Sequence, residues 1–132
     1  MIEYSRYAGL AIVFIWFFVG GITHFTNPDF FVAIVPPWWK WPLFAVYASG
    51  AFEIVLAILA LWPRTKSTAG WGLVALTIAV TPANVHMWLH PEQFPEVSET
   101  ALSVRLVIQI FLIALIWWST RPTPKACERP TI

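Results

Sequence analysis

The sequence predicts an all-α fold, a polytopic membrane bundle of four helices. Three observations carry this. Of the 132 residues, 58% are apolar and 11% charged, against roughly 45–50% and about 25% in soluble domains. The mean hydropathy is +0.68. Apolar runs long enough to cross a bilayer as helix, about 20 residues each, occur four times. They leave no room for a separate soluble domain, so residues 1–132 are read as a single transmembrane domain.

The first span covers about residues 7–25, with no formal charge between Arg6 and Asp29. Its apolar stretch is long and has no convincing small-residue cleavage site, so it is read as a helix rather than a signal peptide. The second covers 43–62 and stops at Pro63-Arg64. The third covers 67–89 and the fourth 100–120. Basic residues set the orientation. Arg6, Arg64, Lys66, Arg121, Lys125 and Arg129 fall on one side, and only Lys40 falls on the other. Both termini are therefore expected in the cytoplasm, across a bacterial inner (plasma) membrane.

Between the first two spans, Asn27-Pro28-Asp29 forms a helix start, with a capping residue, a proline at the first position and an acid near the positive dipole end. Phe30, Phe31, Ile34 and Val35 follow at helical spacing until Pro36-Pro37. Trp38, Trp39 and Trp41 come next, a residue type that anchors at the lipid–water boundary. A short interfacial helix over the bundle mouth is expected. Most other tryptophans, Trp16 and Trp62 among them, are read as belt residues.

The remaining composition excludes whole classes. A net charge of +1 with no basic cluster gives no support for a nucleic-acid partner. The one cysteine, Cys127, lies in a polar tail, so there is no disulfide framework and no cysteine-based metal motif.

Two formal charges interrupt the apolar helices, Glu53 and Arg105. A central charge costs roughly 2.5–3.5 kcal/mol on insertion scales, while ten aliphatic and phenylalanine residues from Leu43 to Leu61 return on the order of 4–5 kcal/mol. The second span inserts despite Glu53, at a cost that favours a position facing protein or water. At 1.5 Å per residue, Glu53 lies about ten residues, or ~15 Å, from the outer end of its helix. Gln109 lies at about the same depth, Arg105 and Asn84 at roughly 8 Å, and His24 near the mouth. Val46, Ser49, Gly50, Glu53 and Ala57 share a stripe, as do Gly70, Thr77, Thr81 and Asn84. Arg105 and Gln109 are four apart on one helix, and Gly20 and Gly21 lie a turn below His24.

Turning these faces inward encloses one outward-opening polar pocket, with His24, Glu53, Asn84, Arg105 and Gln109 as candidate ligand-binding residues. His86, about 200° from Asn84, is placed at a boundary, and Pro82 should kink the third helix. Three readings of the polar set stand side by side. Glu53 and Arg105 form a structural ion pair, or the pocket binds a ligand or handles protons, or histidines and Glu53 hold a metal. His86 and His90 are four apart, but His90 precedes Pro91 at a helix end, and no metal ligand is assigned. No nucleophile–base pair, phosphate loop or carboxylate dyad points to catalysis.

The order of Gly20/Gly21, His24-Phe25, Pro28, Val35-Pro36-Pro37, Val46-Tyr47-Ala48-Ser49-Gly50 with Glu53, Pro82-Ala83-Asn84 with His86-Met87, Arg105 and Gln109 resembles the DoxX-like family of small four-helix membrane proteins. The likeness covers nearly the whole chain. Thr81, where an apolar residue is expected, and the tryptophan-rich connections depart from it. The resemblance implies a membrane subunit of redox or assembly complexes and carries no catalytic role to any residue. Sulfur chemistry does not transfer, since nothing here binds a redox cofactor covalently. The leading expectation is a non-catalytic subunit or binder of a quinone- or lipid-like ligand, as a homo-oligomer or within a larger membrane complex. An accessory or assembly subunit and a quinone-linked oxidoreductase subunit are the alternatives.

Overall fold

A computed structural model describes residues 1–122, so Lys125, Cys127 and Arg129 lie outside the described residues. The architecture is all α, with no strand among the described residues. In chain order the helices are α1 (Ile2–Thr26), α2 (Pro28–Ile34), α3 (Pro42–Ala60), α4 (Lys66–Ala79), α5 (Thr81–Leu89) and α6 (Glu99–Thr120), with one 3-10 turn at Pro91–Gln93. Four segments, Ile2–Thr26, Pro42–Ala60, Lys66–Leu89 and Glu99–Thr120, are long and apolar enough to cross a membrane.

Local chemistry explains where the helices begin and break. The first helix starts five residues earlier than hydropathy alone suggests, because Ser5 bonds back to the Ile2 carbonyl and Glu3 sits in the first turn. Polar residues extend a helix past its apolar run. Helix α2 begins at Pro28 as expected, although the Asn27 side chain forms no cap. Ser98 does cap α6, its Oγ accepting from the Ala101 amide at 3.1 Å. The third span is interrupted at Val80, between α4 and α5. Pro82 brings no amide hydrogen, so the Ile78 carbonyl lacks its helical donor.

Neighbouring helices pack in the ring α1–α3–α4–α6 and back to α1, and each neighbour runs antiparallel. Gly21 meets Gly50 and Ile54, Gly72 meets Leu56, Gly70 meets Thr120, and Gly9 meets Leu115 and Ser119. The closest crossing is α1 on α3. A β-carbon on Gly50 would stand 2.6 Å from His24 Cβ and 3.0 Å from the Gly21 carbonyl oxygen, so this backbone approach depends on the missing side chains.

Apolar contacts divide between two ends. At the end carrying the N-terminus, Leu10, Val13, Phe17, Ala57, Leu73, Leu112 and Ile116 form one buried cluster. At the other, Ile34 of α2, Met87, Phe94 and Leu102 form a second. Between them lie the buried polar residues His24, Glu53, Thr77 and Gln109, while Ile110 and Phe111 point outward at 70% and 71% exposure. Polar groups inside and large apolar groups outside invert the soluble pattern, as a lipid-facing surface requires.

Candidate functional site

The break at Val80 shapes the site. Helix α3 packs along α4 and under α2, while α5 packs on α6 and α2. The space left beside α3 is a cavity of about 790 Å³, within the usual range for small-molecule sites. It reaches the surface beside the exposed Trp16 and Phe52. All five candidates, His24, Glu53, Asn84, Arg105 and Gln109, line it.

One wall is a hydrogen-bonded ladder across α4, α5 and α6. Arg105 Nη2 donates to Asn84 Oδ1 at 3.0 Å, and Asn84 Nδ2 donates to Gln109 Oε1 at 2.7 Å. Gln109 Nε2 in turn donates to the Thr77 carbonyl at 3.0 Å and to the Thr81 hydroxyl. Thr81 passes its own proton to the same carbonyl at 2.9 Å. The hydroxyl at position 81, which departs from the expected apolar residue, is thus one of two acceptors for a buried amide. These contacts fix which way the Asn84 and Gln109 amides point.

The facing wall belongs to α1 and α3. Glu53 is 8% exposed and His24 is 9% exposed. His24 Nδ1 lies 2.8 Å from the Gly20 carbonyl and 3.7 Å from Glu53 Oε2. With Nδ1–H donated to Gly20, the carboxylate receives no hydrogen bond from His24. Gly20 makes room for it, since a β-carbon there would stand 3.1 Å from Oε2. The His24 ring stacks on Phe31 of α2, with centroids 3.9 Å apart and planes at 19°.

One of the three readings of the polar set, the Glu53–Arg105 ion pair, is overturned. Glu53 and Arg105 form no ion pair; the side chain nearest the Glu53 carboxylate is His24, at 3.7 Å, and Arg105 is held by Asn84. The cause is the ring order. Helices α3 and α6 are diagonal in the ring rather than neighbours, and each side chain has a nearer partner. The cavity lies between them.

Other placements follow the same geometry. Trp16, Trp38 and Trp39, read from sequence as belt residues, also line the cavity. His86 stays outside it, its ring 4.4 Å from that of His90. Among the described residues, no three of His, Cys, Asp and Glu converge as a metal site would require. The stacking of Phe31 on His24 was invisible in the sequence, where Phe31 appears only as an apolar position of α2.

No curated protein and no solved structure matches this chain. A family model does, over residues 11–120, from the first spanning helix through the last. The chain therefore belongs to the family described as Domain of unknown function (DUF8561).

Proposed function

We propose that the protein is a membrane-embedded, non-catalytic binder of a small amphipathic molecule, quinone- or lipid-like. The observation that carries this is the cavity itself, whose lining combines His24, Glu53, Asn84, Arg105 and Gln109 with Phe17, Trp16, Ile108 and Leu112. Such a lining suits a polar head joined to an apolar body. Its edges at Trp16 and Phe52, on outward faces, favour entry sideways from the hydrocarbon. In this reading α2 lies in the interface as a cover, both termini are cytoplasmic, and the bilayer is a bacterial plasma membrane. The charge asymmetry of Arg6, Arg64 and Lys66 against Lys40 supports that orientation. The DoxX-like resemblance belongs to the same proposal.

The test is thermal stabilisation of the purified protein in a neutral detergent by a short-chain quinone and by single-chain phospholipids. A ligand at 100 times its Kd adds about 2.7 kcal/mol of stability. Ala48 lines the cavity, and Ala48→Phe should fill it and abolish the shift. An unchanged shift in that variant overturns the reading.

A further inference from the structure

Glu53 and Arg105 face one cavity from diagonal helices, and no ion pair joins them. Resting on the amphiphile-binding reading above, we infer that the head of the occupant is zwitterionic, with an ammonium set against Glu53 and His24 and an anionic group set against Arg105 and Asn84. A buried charge is costly unless it is paired and hydrogen-bonded. A neutral head leaves both charges without a counter-charge, and a head of single sign satisfies one of them.

Each wall is prepared for its half. A guanidinium has five N–H donors in a fixed fork, and Arg105 shows one of them donated, to Asn84 Oδ1. Asn84 cannot turn away, because its amide is bonded to Gln109, and Gln109 to Thr77 and Thr81. The rest of the fork is available for the paired oxygens of a phosphate or carboxylate, the geometry it matches best. Opposite, an ionised Glu53 carboxylate can only accept, and among the described residues no donor reaches it. His24 Nδ1 is already given to Gly20. An ammonium brings up to three donors to that acceptor.

The experiment measures binding of four probes to the protein in neutral detergent: lysophosphatidylethanolamine, lysophosphatidic acid, a long-chain alkylammonium and a short-chain quinone. Free phosphoethanolamine serves as a fifth, chainless arm. The zwitterionic lipid should bind at least tenfold tighter than either probe whose head carries charge of one sign. Glu53→Gln should bring lysophosphatidylethanolamine level with lysophosphatidic acid, whose retained binding reports an intact fold. Arg105→Gln should bring it level with the alkylammonium. Equal binding of all four chain-bearing probes, or a preference unmoved by both variants, overturns the zwitterion while leaving an amphiphile site in place. Saturable binding of none, or equally tight binding of free phosphoethanolamine, overturns the amphiphile reading itself.

Discussion

Arg105 donates to Asn84 at 3.0 Å and leaves Glu53, on the diagonal helix, to His24. Two groups of opposite formal charge inside one membrane bundle are thereby kept apart, Arg105 hydrogen-bonded to Asn84 and Glu53 lying 3.7 Å from His24 without a hydrogen bond. What stabilises the bundle is therefore the amide ladder and the helix crossings rather than an internal ion pair.

Gln109 is the centre of the ladder, bonded to Asn84, Thr77 and Thr81. Interhelical hydrogen bonds in membranes average about 0.6 kcal/mol, with a maximum near 1.7. Gln109→Leu should destabilise the bundle by about 1–3 kcal/mol in reversible denaturation. Asn84→Ala added to it should cost less than it does alone, because the shared bond is already lost.

The α1–α3 crossing separates two glycine substitutions. Gly50→Ala drives a methyl against the Gly21 carbonyl and His24 Cβ, whereas Gly20→Ala meets only the end of the Glu53 side chain. Overpacking costs about 1–3 kcal/mol. Gly50→Ala should lower the melting temperature clearly, and Gly20→Ala little.

At the N-terminal end of the bundle the Arg121 guanidinium lies against both Trp71 and Trp117, 4.7 and 4.6 Å from the ring centroids, and donates to the Ser67 carbonyl at 2.9 Å. Partly desolvated cation–π contacts contribute about 0.5–2 kcal/mol. Arg121→Ala should lose stability in that range. Arg121→Lys should recover only a part, since an ammonium lacks the stacking plane.

Replacing Pro82 restores an amide donor for the Ile78 carbonyl and lets α4 run into α5. Pro82→Ala should keep or raise thermal stability while weakening ligand binding, because a continuous helix re-aims Asn84 away from Arg105. Parallel melting and binding curves would reveal that split.

Much of this was legible in the chain. Helical rise alone set Glu53, Gln109, Asn84 and Arg105 at neighbouring depths, and the stripe Gly70, Thr77, Thr81, Asn84 does face α6. Pro82 marked the interruption because its effect is local. The ion pair of Glu53 with Arg105, one reading of the sequence, fails for a different reason. Depth and face are properties of one helix, but which helices are diagonal is a property of the packed ring, and four amphipathic stripes do not encode it. Phe31 against His24 escaped for the same reason, since α2 folds back over α1 only in three dimensions. The early start of α1 at Ile2 shows that an apolar window measures what lipid accepts and not where a helix begins.

The most direct test is a double-mutant cycle on Glu53→Gln and Arg105→Gln, read as unfolding free energy without ligand. Separated groups should give additive losses, with a coupling energy inside about 0.3–0.5 kcal/mol. A favourable coupling of more than about 1 kcal/mol would mean that the two charges hold each other, and that the cavity between them is not what they serve.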